Sequence, residues 1–410
     1  MEKKLKNNEI NNWKKVFYII SAGQFFSIIG SSMVQFAIVW WLTMETNSAI
    51  VLTIASMVGF LPQAILGPFV GAIVDRNKRK LIMIYADIAI AMATLILIIA
   101  FFIGRESLSI IYIVLIIRSI GSAFHMPAMQ ASIPMIVPQE NLSVAASVTQ
   151  FIQSASNIFG PALAAFMLGF VSIEYVMLVD IIGAVIACIS ITFVNIPNPI
   201  KIEETKNESF ITEVKYGFKE LKKHKALFIL TIILSMVAVI YIPIGSLFPL
   251  IVSSHFNGGA VEAGFAEIAF AVGMLIGSTL IGIIGERYKK VKIIGYSVLL
   301  SGIALTISGL LPSNIFIGFL VMSALIGLSG PLYSASFYVL IQSSIEPSIL
   351  GRVIGIVNSI MLFATPIGLL IAGPMCEIIG VDKWFLLSGV LTSLISVVSI
   401  FNSSINTFKL

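Results

Sequence analysis

A chain of 410 residues is long enough for two or three soluble domains, yet 58% of its residues are hydrophobic, only 11% are charged, and its mean hydropathy is +1.02. Those values exclude a soluble enzyme or binding module and identify an integral membrane protein. The net charge of +5 sits in short clusters beside apolar runs, without a basic groove or interleaved aromatics, so it speaks for membrane topology and against nucleic acid.

The basic N-terminus, MEKKLKNNEINNWKK, leads into an apolar run too long for a signal peptide and without a small-residue cleavage site, so it is read as a retained first span. A bilayer core about 30 Å thick needs about 20 helical residues. By that rule the sequence predicts an all-α membrane protein of twelve spans, at 16–42, 50–74, 81–103, 108–134, 144–168, 172–195, 226–252, 262–285, 291–311, 314–340, 353–379 and 382–403. Most connections are short and polar (METNSA, GRESLS, PSN). The exception, 196–225, is charge-dense with an amphipathic second half, and divides the chain into an N-terminal bundle (1–195), a cytoplasmic linker (196–225) and a C-terminal bundle (226–410). With the N-terminus in the cytoplasm, all of the 25 Lys and Arg residues fall in cytoplasmic segments except Arg105, Lys383 and Arg118, the last within the fourth span. That asymmetry satisfies the positive-inside rule and places both termini in the cytoplasm. Cys188 and Cys376, both in apolar runs, form neither a disulfide framework nor a metal site, and read as small packing residues.

The two halves repeat. At an offset of 211 residues Phe17 matches Phe228, Ala49 matches Ala260, Gly71 matches Gly282, Asp75 answers to Glu286 and Arg76 matches Arg287; further on, at 208, Leu142 matches Leu350. GAIVDRNKRK after the second span thus corresponds to GIIGERYKK after the eighth: a Gly-spaced helix end, an acid, Arg, then more bases. An acid there can face the positive N-terminus of another helix, while the bases anchor the exit from the membrane. Two parallel, pseudo-symmetric six-helix bundles are a transporter layout.

Several intramembrane residues carry chemistry. Arg118 lies deep in the fourth span, where an unpaired charge costs at least about 2.5 to 3.5 kcal/mol, so it must face the interior and find a partner. Ser122 and His125 follow on the same helical face. Asp87, Asp180 and Glu267 are carboxylates within spans three, six and eight. Such a group, raised in pKa by burial or lowered by a nearby Arg, can load and release a proton as a site opens alternately to each side. Asp87 is near the cytoplasmic interface, where pairing with a loop base competes with a coupling role. His125 reads first as a hydrogen-bonded packing residue. In span one, Gln24, Ser27, Ser31 and Gln35 form a polar stripe that faces either neighbouring helices or a cavity; Gln150, Gln153, Ser154 and Asn157 do likewise in span five. Gly160 and Pro161 mark a kinked, close helix crossing.

Gly71, Asp75, Arg76, Arg79 and Lys80 resemble the loop signature of the major facilitator superfamily, Gly-x-x-x-Asp-Arg-x-Gly-Arg-Arg/Lys, with Lys78 where the second Gly is usual. Within it, VGFLPQAILGPFVGAIVDR, IIRSIGSAFHMPA and DKWFLLSG resemble the Mef-type macrolide efflux proteins. The resemblance implies that the loop is a cytoplasmic latch in which Asp75 meets the start of span eleven at Gly351 and Arg352, with Glu286 in the equivalent place. It implies that spans one, four, seven and ten line the cavity, which favours the span-one stripe for the substrate path. Gly160-Pro161, with Ser156 and Ala164 at the flanking Gly positions, resembles the antiporter motif Gly-x-x-x-Gly-Pro-x-x-Gly in part. Arg118 stands where the family's fourth-helix motif has Arg, with Gly121 three residues on where the family has Gly at four.

The sequence therefore predicts a proton-coupled efflux antiporter for macrolide-like or other amphiphilic drugs, with export of an endogenous siderophore, peptide or lipid as the alternative. No nucleotide-binding loop, clustered catalytic site or sizeable soluble domain supports an enzyme. The expected partners are an amphiphilic small molecule, protons and the lipid bilayer. No cofactor is expected, and the expected form is a monomer in a bacterial-type cytoplasmic membrane.

Overall fold

The computed structural model describes residues 2–194, 196, 218–284 and 287–401; for 2–12, 68, 71, 72, 75, 76, 140, 143, 347–349, 351 and 352 it describes the backbone alone. Among these residues the chain is helical almost throughout, and twelve helices are long and apolar enough to cross a membrane. They are α1 (Glu2–Thr46), α2 (Ala49–Arg76), α3 (Arg79–Phe102), α4 (Leu108–Ile136), α5 (Leu142–Leu168), α6 (Ile173–Thr192), α7 (Lys225–Ser254), α8 (Ala260–Ile284), α9 (Lys290–Leu310), α10 (Phe316–Ser344), α11 (Pro347–Ile379) and α12 (Val381–Phe401). Each contains one of the twelve predicted spans or most of it. The physical cause is plain: in hydrocarbon every backbone N–H and C=O must be paired within its own segment, and a helix does that.

The chain divides into two compact units, residues 1–41 with 55–203, and 42–54 with 204–410. In the first, α3 packs on α4 and α6; in the second, α9 packs on α10 and α12, the same pairs in the repeat. The first connection of each half turns through an asparagine in the left-handed region, Asn47 (φ 45°) after α1 and Asn257 (φ 53°) after α7. Asparagine tolerates that conformation because its short side chain bonds locally. Residues 42–54, the α1–α2 corner, belong to the second unit: Ser48 donates to Glu377 Oε1 on α11 at 2.5 Å, and the Ile50 amide donates to the same oxygen at 3.4 Å.

Of the linker, Ile196 and residues 218–225 are described. Residues 218–223 are helical, Leu221 is fully buried in the core formed by Leu227, Leu230, Leu340 and Val353, and Lys222 lies over the rings of Phe218 and Phe228. This stretch is the foot of the second unit, its apolar side inward, as the amphipathic pattern requires.

Candidate functional site

The first unit brings four helices to one buried locus, and glycines set how closely they approach. A Cβ on Gly30 of α1 would lie 2.7 Å from Asp180 Cα on α6, and one on Gly183 would lie 2.6 Å from the carbonyl oxygen of Phe26. The two backbones therefore touch, which is the use of small residues between membrane helices. On α4, a Cβ on Gly121 would lie 2.6 Å from Ile90 Cγ1 of α3. Gly121 thus performs a packing role three residues after Arg118, the departure from the family spacing notwithstanding.

At this crossing Asp180, 1% exposed, is saturated with donors. Arg118 Nη1 stands 2.5 Å from its Oδ2, Thr94 donates to the same oxygen at 2.6 Å, and Ser31 donates to Oδ1 at 2.7 Å. Arg118 also donates to Thr94 Oγ1 through Nη1 and to the Ser31 carbonyl through Nη2 at 3.4 Å. Arg118 has its partner, and the partner is Asp180. Charge-assisted bonds of this kind offset the desolvation of two buried ions only when the geometry is complete, as it is here.

A second polar layer lies seven residues away on three of the same helices: Gln24 of α1, Asp87 of α3 and His125 of α4 against Ser31, Thr94 and Arg118. Seven residues are two turns, about 10 Å along a helix. Asp87 is 3% exposed and is approached by His125 Nε2 at 3.4 Å and Gln24 Nε2 at 3.5 Å. Among the described residues, Asp87 pairs with no loop base. Two of the loop bases are engaged elsewhere: Arg79 Nη1 donates to the Ala131 carbonyl on α4 at 2.6 Å, and Lys80 Nζ donates to the carbonyls of Thr192 and Val194 at the end of α6, both at 2.8 Å. Cations at helix C-termini satisfy orphan carbonyls and the helix dipole together. Arg79 and Lys80 thereby bind the start of α3 to the ends of α4 and α6.

Of the remaining predicted residues, Ser122 is half-buried between Arg118 and His125 on α4. In the α1 stripe Gln24 and Ser31 bond α3 and α6, Ser27 is buried, and Gln35 is exposed. Gly160 abuts Ser32 of α1, so the α5 kink is a close crossing, with Ser156 and Ala164 fully buried. Gly71, Asp75 and Arg76 lie in the last two turns of α2 and Arg352 lies in the second turn of α11, but their side chains, like all of Glu286, lie outside the described residues. Arg287 is exposed in the turn after α8, and a Cβ on Gly282 would meet nothing within 4 Å, as is also true of Gly67. Neither glycine marks a close crossing here. In the second unit Glu267 is half-buried on α8 and makes no hydrogen bond or ion pair with a described residue.

The second unit also holds an opening that no local sequence pattern marks. A cavity of about 210 Å³ opens between α7, α10 and α11, lined by Tyr241, Tyr333, Phe337, Tyr338 and Met361 among others. Tyr241 donates to the Ile326 carbonyl at 3.3 Å and Tyr338 donates to Asn358 Oδ1 at 2.6 Å, so phenol groups fix two of its walls. Aromatic faces and a flexible thioether make an adaptable apolar surface with polar handles.

Two repeated bundles of membrane-spanning helices, with buried ionic layers in one and an aromatic cavity in the other, define a polytopic membrane transporter. The chain belongs to the major facilitator superfamily, whose sequence model matches residues 20–266 and 240–405. It is similar to macrolide efflux protein A of Streptococcus pyogenes, 44% identical over 388 residues that cover 95% of this chain and 96% of that protein. Macrolide efflux protein A of Enterococcus faecalis is also 44% identical, over 79% of this chain and 100% of that protein. Among solved structures, an inward-facing bacterial homologue of the iron transporter ferroportin superimposes with a TM-score of 0.72 at 17% identity, covering 95% of this chain and 99% of that one. At that identity the likeness concerns the fold alone.

Proposed function

We propose that this protein is a proton-coupled antiporter that exports macrolide-like or other amphiphilic drugs by alternating access. The observation that carries the reading is the conjunction of near-full-length similarity to macrolide efflux proteins with buried, ionisable layers inside the first unit. Asp87, Asp180, Glu267 and Arg118 are the intramembrane candidates among which coupling, recognition of a cationic substrate and structural pairing are divided. Ser27, Ser122 and Gln35 belong to the substrate path with the span-one stripe, and the aromatic cavity of α7, α10 and α11 receives an apolar part of the drug. Asp75, Glu286 and Arg352 act at the cytoplasmic latch. The chain works as a monomer with both termini in the cytoplasm of a bacterial-type cytoplasmic membrane, an orientation supported by its distribution of Lys and Arg.

The driving force is sufficient. One charge moving through 100 mV supplies about 2.3 kcal/mol, and one pH unit adds about 1.4 kcal/mol. Together they sustain a concentration ratio of between about two and three decades. The test is drug accumulation in an efflux-deficient bacterium expressing the full chain, across macrolides and unrelated amphiphiles, with and without a protonophore. Lowered accumulation that the protonophore abolishes is the expected result, and Glu267→Gln should lose it while reaching the membrane. If no compound responds, or if export continues with the gradient collapsed, the antiport reading is wrong. A response confined to peptides, siderophores or lipids would favour an endogenous substrate.

A further inference from the structure

The two polar layers of the first unit differ in completeness. Around Asp180 the contacts are 2.5 to 2.7 Å and both carboxylate oxygens are taken, so one cation and one anion cancel and no proton is needed to bury them. Around Asp87 they lengthen to 3.4 and 3.5 Å. There Gln24 Oε1 and His125 Nε2, on side chains 0% and 6% exposed, make no hydrogen bond among the described residues. Buried polar groups are almost always satisfied, so two such atoms at one carboxylate need an explanation.

Charge balance gives one. Asp87 faces Gln24 on α1, His125 on α4 and, within electrostatic reach on α6, Cys188. Arg118 and Asp180 stand two turns away and offset each other. Arg79 and Lys80, about two turns in the other direction along α3, are engaged with α4 and α6. Among the described residues, the cation within reach of Asp87 is protonated His125. With both groups deprotonated the layer carries a net negative charge, which is costly to bury. One added proton makes it neutral, whether as a carboxylate with an imidazolium or as a carboxylic acid with an imidazole.

We infer that Asp87 and His125 together form the proton-binding site of the first unit, with Gln24 orienting the carboxylate and the Arg118–Asp180 pair acting as a fixed strut. The pair takes up one proton when the site faces one side of the membrane and returns that proton when it faces the other. This use of the site rests on the antiport reading; its titration does not.

The chain has three His, His125, His224 and His255. Full-length protein carrying isotope-labelled histidine, in lipid nanodiscs, allows His125 to be assigned by the signal lost in His125→Gln and followed by magnetic resonance. His125 is expected to exchange a proton in the wild type on titration, to lose that exchange in Asp87→Asn, and to keep it in Cys188→Ala. Asp87→Glu, which keeps the charge if Asp87→Asn does not fold, is expected to displace the midpoint. A His125 that stays neutral throughout in the wild type overturns the inference, as does a titration unchanged by both Asp87 variants. A normal titration together with protonophore-insensitive export supports the site while refuting antiport; the reverse pair of results refutes the site alone.

Discussion

Replacing Asp180 by Asn tests whether the Arg118 layer is a strut. The variant leaves a guanidinium whose side chain is 9% exposed without its counter-charge, while keeping the shape of the group that Ser31 and Thr94 address. Breaking a buried pair by removing one partner costs about 3 to 5 kcal/mol, and since Asn still offers an oxygen the lower end applies, about 3 kcal/mol. For a unit of this size each kcal/mol moves the midpoint by about 2 to 4 °C, which gives a fall of about 6 to 12 °C. Removing both charges in Arg118→Gln with Asp180→Asn leaves neutral amides and should recover more than half of that loss. The two cysteines supply the assay. Cys188 lies in the first unit and Cys376 in the second, so a thiol-reactive fluorophore on a Cys376→Ser background reports unfolding of the first unit alone. Single variants within about 2 °C of wild type, or a double variant no better than the worse single, would refute the strut.

Three further outcomes follow from packing and from the cavity. Gly183→Leu would drive a side chain into the Phe26 backbone, and overpacking of this kind costs about 1 to 3 kcal/mol or more, so folded yield by size exclusion should drop sharply. Gly282→Leu, where the new Cβ meets nothing within 4 Å, should stay within about 0.5 kcal/mol of wild type. Tyr333→Ala enlarges the aromatic cavity and should change which amphiphiles a resistant cell tolerates, toward bulkier ones; an unaltered drug profile would remove the cavity from the substrate path.

The twelve helices were legible in the sequence because the solvent imposes them: a run of about 20 apolar residues has no other way to pair its backbone. That Arg118 needs a partner was equally legible, since an unpaired charge in the bilayer is expensive. Which acid would serve was not, because three carboxylates lie within spans and adjacency of helices is not a local property. The register is instructive. Gln24 with Ser31, Asp87 with Thr94, and Arg118 with His125 are each seven apart, visible one helix at a time, yet they mean two layers only once α1, α3 and α4 are known to adjoin. Gly30 and Gly183 carry no local signal for the same reason: a glycine's use lies in its neighbour. Tyr241, Tyr333 and Met361, scattered over three helices, leave no local pattern at all.

The repeat preserves which helices pack together, but the buried polar content has diverged. The first unit buries Asp87, Arg118, His125 and Asp180, whereas the fully buried polar side chains described in α7 to α12 are all hydroxyls. Several of these, Ser297, Ser308 and Thr231 among them, donate to the carbonyl four residues back on their own helix. A hydroxyl bonded in that way needs no partner from a neighbouring helix, so it lets helices approach without fixing a charge between them. A buried carboxylate or guanidinium does the opposite: it binds neighbouring helices to one another and changes its demands when a proton arrives. Under the proposed mechanism this asymmetry assigns the coupling ion to the first unit and leaves the second, with its aromatic cavity, to accommodate drugs of varied shape. Glu267, half-buried on α8 and without a partner among the described residues, departs from this division. Its Gln variant therefore has two distinct consequences to separate: loss of export for every compound if it carries charge for coupling, or loss for cationic drugs alone if it serves the second unit's substrate surface.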